Sequence, residues 1–435
     1  MGGGGGKAPA GFAGAEVAMT GPMGLENYGF NREDVYMADL NGAPSANRVH
    51  IAFFGRRNAG KSSLVNAITA QALSIVSPVA GTTTDPVRKS MELLPLGPVV
   101  IIDTPGVDDA GEVGSLRVQR ALRELNRADA AVLVVDAAAG LTDEDRELLR
   151  RFDKKGVPHI TVYNKCDLRG VPCGEGEIAV SARTSENIDA LKERLARLVQ
   201  AGDGDRRLLG DLLSPGDAVV LVTPIDASAP RGRMILPQVQ AIRDILDAQA
   251  ACAVVQPAQL PAMLARLGRP RLVVTDSQAF ETVKQMVPEN VPLTSFSILF
   301  ARFKGVLDTA VRGAEALKTL RDGDRVLICE GCTHHRQCED IGTVKLPGWI
   351  RRFTGVEPQF AFTSGGEFPE DLSPYALVVH CGGCMLNERE MRYRRGLAAD
   401  SGVPYTNYGT IIAYMNGILR RSLEPFPEYA KKAGE

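Results

Sequence analysis

Apolar and polar positions divide the chain into three blocks, each with the same rhythm. From Arg48 to about Gln200, short apolar runs alternate with segments of helical spacing. "VHIAFF" (from Val49), "VVIID" (from Val99), "AAVLVVD" (from Ala130) and "HITVYN" (from His159) predict strands. Lys61 to Gln71, Val113 to Asn126, Asp143 to Lys154 and Ile188 to Leu198 predict helices. Strand and helix in turn imply a parallel sheet covered on both faces. A shorter alternation follows. "AVVLVTP", "CAVVQ" and "RLVVTD" predict strands, and Gln238 to Ala248, Ala258 to Leu267 and Gln278 to Met286 predict helices. This middle block carries no catalytic motif. In the third, "DRVLICEG", "YALVVHCGG" and "VPYTNYG" predict strands, and Thr410 to Arg420 a helix. The expected fold is three consecutive α/β domains.

Breaks in the pattern set the expected boundaries. Residues 1–46, opening "MGGGGGKAPAGFAG", read as a flexible arm, 47–203 as the first domain, 204–291 as the second and 292–435 as the third. The Gly/Asp-rich stretch "AGDGDRRLLGDLLSPGD" links the first two.

Composition narrows the function classes. With 435 residues, 44% apolar and 23% charged, each domain can bury a core. A formal net charge of -2 supplies no global field for nucleic acid or anionic lipid, so neither is an expected partner. No apolar run approaches the roughly 18–20 residues that cross a bilayer. The first residues lack the apolar core of a secretory signal, so a cytoplasmic setting is expected. There the eight cysteines read as thiols or metal ligands and not as disulfides.

The chemistry begins at "GRRNAGKSS", which matches G-x-x-x-x-G-K-[ST] from Gly55 to Ser62 between a strand and a helix. Backbone N–H groups of Asn58, Ala59, Gly60, Lys61 and Ser62 are expected to wrap a β-phosphate, and Ser63 beside them is a further expected nucleotide-binding residue. Lys61 would sit between β- and γ-phosphates, and the Ser62 hydroxyl on Mg²⁺. "DTPG" puts Asp103 behind the metal and the Gly106 N–H at the γ-phosphate. "NKCD" assigns Asp167 to the guanine N1 and N2 groups, Asn164 to the base edge and Lys165 to the ring. "VSA" offers a backbone N–H near Ser181 and Ala182 to guanine O6. Together, in order and at strand ends, these specify GTP. In "GTTTD", Thr83 is the expected second Mg²⁺ hydroxyl, with Thr82 and Thr84 as alternatives. Lys61, Thr83 and Gly106 are the expected catalytic groups. This ordering resembles the translation-factor-like GTPases related to tRNA-modification and ribosome-assembly G proteins. Val107 stands where Ras-like proteins place a water-orienting Gln. In the resembling group, the Asn equivalent to Asn58 helps hold a K⁺ ion that replaces an arginine finger.

Two cysteine loops follow predicted strands, "CEGCTHHRQCE" (from Cys329) and "HCGGC" (from His380). Parallel strands put such loops at one sheet edge, where open α/β sheets build their sites. Cys332, His334, His380, Cys381 and Cys384 are thereby expected to converge. Three or four thiolates suit either zinc or an iron–sulfur cluster. Cys329 begins inside a strand and is expected to face the core. Cys338, His335, His50, His159, Cys166 and Trp349 read as neighbours or packing, with Cys329 or Cys338 as an alternative fourth ligand and Trp349 as an alternative cover for the metal pocket. Positive charge in "YRRG", "RRSLEPFP", Arg351 and Arg352 reads as a solvated face or as a docking patch for an acidic partner or anionic cargo.

The phosphate loop "HIAFFGRRNAGKSS", C-x-H at Cys332 and His334, and H-C-x-x-C at His380, Cys381 and Cys384 resemble the FeFe-hydrogenase maturation GTPases. "RGRMILPQVQAIRD" and "TNYG" are similar to that family too. The resemblance implies a 4Fe-4S cluster on Cys332, Cys381 and Cys384, its fourth iron open or loosely held by His334 or His380, either of which could instead hydrogen-bond to sulfur. It implies a middle domain that forms a homodimer and an iron–sulfur cluster domain after it. The implied role is a GTPase and scaffold holding a transient diiron precursor for apo FeFe-hydrogenase, with two radical-SAM maturases as partners. The competing reading is a zinc-containing GTPase acting in RNA or ribosome maturation.

Overall fold

The computed structural model describes residues 1–2, 45–70, 86–107, 112–200, 206–225, 234–331 and 341–431. Most of the expected N-terminal arm, together with Thr82, Thr83, Thr84, Cys332, His334, His335 and Cys338, lies outside the described residues. The elements named below belong to the compact unit Ala43–Glu435.

The first domain is a six-stranded sheet in the order β2-β3-β1-β4-β5-β6. Its strands are β1 (Val49–Phe54), β2 (Val87–Leu93), β3 (Gly97–Asp103), β4 (Ala130–Asp136), β5 (His159–Asn164) and β6 (Glu177–Ala179). All pairs are parallel except β2 with β3. The inner strands are largely apolar because helices cover both faces. Helices α1 (Lys61–Thr69), α2 (Glu112–Glu124), α3 (Asp143–Lys154) and α4 (Ile188–Gln200) supply that cover. Successive strand residues point to opposite faces. Phe53 therefore joins Leu64, Ile68, Leu191 and Leu195 in one core layer. Phe54 joins Leu133, Leu148 and Phe152 in the other. Thr142 and Asp145 form a capping box that starts α3.

The second sheet is parallel, ordered β10-β9-β7-β8. It consists of β7 (Ala218–Val222), β8 (Ala251–Val255), β9 (Leu272–Thr275) and β10 (Leu293–Ser295), with α5 (Leu236–Asp247), α6 (Leu260–Leu267) and α7 (Phe280–Met286). β10 begins two residues past the expected boundary at 291. Then come α8 (Phe296–Phe303) and α9 (Leu307–Ala314). The third sheet, ordered β12-β11-β13-β14, is also parallel. Its strands are β11 (Arg325–Glu330), β12 (Gln359–Ser364), β13 (Leu377–His380) and β14 (Tyr405–Asn407). Its helices are α10 (Leu346–Thr354), α11 (Glu388–Asp400), α12 (Tyr408–Met415), α13 (Leu419–Ser422) and α14 (Pro427–Ala430).

Two expected elements are corrected. The helix expected over Thr410 to Arg420 is two, because Gly417 takes a left-handed φ of 69° and breaks the path. The strand expected to run through "YALVVHCGG" is only Leu377–His380, since the chain leaves the sheet at Cys381. The second and third sheets also share one apolar core. It runs from Leu221, Val274 and Leu293 through Ile298, Leu299 and Val311 to Ile328, Val379 and Ile411.

Candidate nucleotide and thiolate sites

The phosphate loop joins β1 to α1 through two glycines that no other residue would replace. A Cβ on Gly55 would lie 2.2 Å from the Val134 carbonyl oxygen, and one on Gly60 2.3 Å from Asn164 Nδ2. Both have positive φ. The loop backbone therefore packs closely on the Val134 backbone at one glycine and on the Asn164 side chain at the other, with its N–H groups at the start of α1, where a helix attracts anions. Lys61 is buried and donates from Nζ to the carbonyls of Gly55 and Arg56, at 2.9 and 2.8 Å. Ser62 Oγ donates to Asp103 Oδ2 at 2.6 Å, so two of the residues expected at Mg²⁺ are already paired. Ser63 lies in the first turn of α1. The Val107 N–H reaches the Gly55 carbonyl at 3.4 Å and ties the loop holding Gly106 to the phosphate loop.

The base side is built on the same loop. Asn164 is buried, donates from Nδ2 to the Ala59 carbonyl at 3.1 Å and accepts the Ala182 N–H at 3.1 Å. It locks the phosphate loop to the "VSA" segment. Lys165, with φ of 66°, donates to the carbonyl of exposed Asn58 at 2.9 Å and to Asp136 at 2.6 Å. Asp167 accepts from Ser181 Oγ and from Arg183, each at 2.7 Å. The Ser181 hydrogen bond, with help from the Arg183 charge, holds its carboxyl below the usual range. Asp136 and Arg183 were not expected here. Their signal, a carboxylate ending β4 and a cation after "VSA", has no fixed motif.

The thiolate site stands at the ends of β11 and β13, which pair with Cys329 beside His380. Cys329 is wholly buried, and burial pushes its thiol up to about 11, as a core-facing side chain requires. One residue beyond β11, Gly331 donates its N–H to Cys381 Sγ at 3.0 Å, and Gly383 adds a second at 3.4 Å. Gly383 turns the chain with φ of 66°. Burial and then the neighbouring Cys381 push the Cys384 thiol up to about 12. Cys332 is the next residue after Gly331, so the two cysteine loops meet where it begins. Among the described residues, no three His, Cys, Asp or Glu side chains gather as a metal site.

His380 is wholly buried and both ring nitrogens are engaged. Nδ1 is 2.9 Å from the Cys381 carbonyl, and Arg394 Nη1 is 3.0 Å from Nε2. Arg394 is itself wholly buried, bonded to Glu390 at 2.8 Å and to the Gly365 carbonyl at 2.9 Å. This corrects the expectation that "YRRG" forms a solvated face. Arg421 of "RRSLEPFP" likewise donates to the carbonyls of Val287 and Pro288, each at 2.8 Å. Lys304, at the end of α8, is also buried. Burial draws its ammonium down to about 8, opposed by the charges of Glu388, Cys384 and Asp129. The motif residue Asn407 caps α12 and donates to the Ser297 carbonyl at 2.8 Å. Trp349 packs against the shared core.

Comparison with known proteins places the two later domains. Residues 208–305 match the hydrogen maturase F dimerization domain, and residues 308–425 match the hydrogen maturase F tetramerization domain. The chain belongs to the hydrogen maturase F family. The family resemblance read from the sequence is thus borne out, and the block expected to carry the cluster bears the tetramerization description. Residues 50–165 match the 50S ribosome-binding GTPase family. The same part is similar to tRNA modification GTPases MnmE. That of Dechloromonas aromatica is 36% identical over 157 residues, covering 34% of this chain and 35% of the relative. That of Chromobacterium violaceum is 37% identical over 164 residues, covering 36% of each. The chain thus spans about a third of the length of the curated relatives it matches. Among solved structures, Aquifex aeolicus Era bound to GDP and AlF4⁻ is 21% identical, with a TM-score of 0.33, and covers 55% of this chain and 97% of that one. NFeoB from S. thermophilus bound to GDP, AlF4⁻ and K⁺ is 25% identical, with a TM-score of 0.30, and covers 36% of this chain and 64% of that one. Among the described residues, no helix is long and apolar enough to cross a membrane.

Proposed function

We propose that this chain hydrolyses GTP, holds a 4Fe-4S cluster on Cys332, Cys381 and Cys384, and carries a diiron precursor to apo FeFe-hydrogenase. The observation that carries the cluster half is the 3.0 Å hydrogen bond from the Gly331 N–H to Cys381 Sγ. It brings the entrance of the C-x-H loop against the sulfur of the C-x-x-C loop. Two backbone N–H groups aimed at one sulfur suit a charged thiolate, and they fit an iron–sulfur ligand. When bound, the cluster supplies soft iron, with one corner open to a ligand from outside.

The chain's own residues prepare that place. His380 holds the Cys381 carbonyl and receives Arg394, so it acts as a positioning group, which leaves the fourth iron open or loosely held by His334. The positive charge of Lys304 favours the thiolate form of Cys384. In the G domain, Lys61 would leave its two carbonyls for the β- and γ-phosphates. Ser62, oriented by Asp103, and Thr83 would hold Mg²⁺, while the Gly106 N–H meets the γ-phosphate. Asn58 is the proposed K⁺ ligand, and K⁺ would stimulate turnover. Hydrolysis then acts as a switch. The second domain would form a homodimer, and the two radical-SAM maturases would load the cargo in the cytoplasm.

Anaerobic purification with metal analysis and EPR of the reduced protein tests the reading. About four iron and four sulfide per chain are expected. Zinc without sulfide would overturn it in favour of the RNA or ribosome reading. Activation of apo-hydrogenase by the loaded protein separates a carrier from a redox module.

A further inference from the structure

Helix α11 lies between the cysteine loop and the G domain. Its N-cap residue, Asn387, donates from Nδ2 to the Arg127 carbonyl at 2.6 Å. Glu390 is buried between two guanidinium groups, Arg127 Nε at 3.6 Å and Arg394 Nε at 2.8 Å. Arg394 passes on to His380 Nε2, and His380 Nδ1 to the Cys381 carbonyl. An unbroken run of polar contacts therefore joins Arg127 of the G domain to the backbone of Cys381. The same seam is held by Arg389, which donates to the Gly156 carbonyl at 3.2 Å and lies 3.7 Å from Asp129. The Lys155 ammonium sits 5.0 Å from the centre of the Tyr393 ring.

The other side of Arg127 meets the elements that follow the two segments expected to sense the nucleotide. Its N–H bonds the Glu124 carbonyl at 3.1 Å, at the end of α2, the helix that follows "DTPG". The Glu124 carboxylate accepts from Arg88 Nε at 3.0 Å. Arg88 belongs to β2, the strand that follows "GTTTD". Both segments expected to sense the γ-phosphate thus lead into the corner where Arg127 meets α11.

We infer that Arg127 is a positioning residue for the Cys381–Cys384 loop, acting through Glu390, Arg394 and His380, and that it makes this loop respond to the nucleotide. The inference rests on the GTP and cluster reading above. Contiguous packed and hydrogen-bonded groups can carry such coupling, and coupling between sites is reciprocal. Arg127 can be removed without stranding its partner, because Glu390 keeps Arg394.

The test uses the full chain and Arg127→Met. Affinities for GDP and for a non-hydrolysable GTP analogue are measured with and without reconstituted iron and sulfide. In the unaltered protein, loading should change the ratio of the two affinities at least about fivefold, the lower end of usual couplings. In Arg127→Met the ratio should stay put, with GDP affinity and iron content retained. Hydrogen–deuterium exchange over residues 381–387 of the metal-free protein is the second readout. Exchange should differ between GDP and the analogue in the unaltered chain and not in the variant. Equal coupling and equal exchange differences in both proteins would overturn the inference, as would a lack of the exchange difference in the unaltered chain, or a lack of the affinity coupling in an unaltered chain that does bind iron. A chain that binds no iron, yet shows the Arg127-dependent exchange difference, sinks the cluster reading and keeps the relay.

Discussion

Arg394 Nη1 lies 3.0 Å from His380 Nε2, and a guanidinium can only donate. Nε2 must therefore accept, and Nδ1 carries the proton given to the Cys381 carbonyl. Burial and the Arg394 charge press the ring's pKa down to about 3, so the imidazole is neutral. While this pair holds, neither nitrogen points a lone pair at a metal.

Arg394→Met removes one partner of a buried pair and leaves Glu390 with its more distant cation. Unfolding by urea should show a loss of about 3–5 kcal/mol. The double variant Glu390→Gln with Arg394→Met should lose clearly less, because no buried carboxylate is left without its nearer cation, and Arg127, which loses Glu390, is partly exposed. Equal losses would show that the pair is not electrostatically coupled.

The two sites should separate by mutation. Lys61→Ala should lower GTP turnover by at least ~100-fold and leave the iron content unchanged. Cys381→Ser should do the reverse. Turnover assays paired with iron and sulfide determination decide it; a normal cluster in Cys381→Ser would remove that residue from the ligand set.

Gly383→Ala places a Cβ 2.5 Å from Met391 Sδ in a left-handed turn. The methionine can shift, but the backbone strain stays, at about 1–2 kcal/mol. Thermal or urea unfolding should show that loss, accompanied by reduced iron uptake. Unchanged stability and uptake would mean that the turn tolerates a side chain.

Lys304 gives a pH signature. Its folded pKa, about 8, lies below the unfolded value of 10.5. Between these the unfolded chain binds more protons, so stability rises with pH across that window and the penalty is fully present below pH 8. Lys304→Met should therefore stabilise the metal-free protein at pH 7, by about 1–3 kcal/mol, and the gain should shrink towards pH 10.5. Urea midpoints at pH 7 and pH 10 provide the check. A destabilised variant at pH 7 would show that the lysine stem is needed for packing.

Strand β8 is one of the two edge strands of its sheet among the described residues, and Val254 on it and Leu246 on α5 are exposed. Open strand edges pair with further strands. Val254→Lys combined with Leu246→Glu should lower the molar mass in light scattering to that of a smaller assembly, with unchanged circular dichroism. An unchanged mass would place the contact on another face.

What could be read from residue order has a physical pattern. Strands buried on both faces, such as β1, β4 and β13, show as apolar runs, and the phosphate loop keeps its chemistry within nine consecutive residues. The marginal strands β8 and β14 show in the sequence, but β2, β6, β10 and β12 ("QFAFTS") do not. β2, "VRKSMEL", is half polar because it is an edge, and β6 and β10 are three residues each. The Arg127–Glu390–Arg394–His380 run escaped for another reason. Its members come from three separate parts of the chain, and charged residues on a helix read as surface until their partners are known. The i,i+4 spacing of Glu390 and Arg394 was the one local hint.

The apolar core shared by the second and third sheets bears on how the polypeptide could be dissected. A cut near Pro292 would run through one hydrophobic body and bare Leu293, Ile298 and Leu299 to water. Neither fragment would keep its shape when produced alone, so truncation cannot sort assembly from sulfur chemistry in this chain. Point changes, made in the intact polypeptide, are the tool that remains.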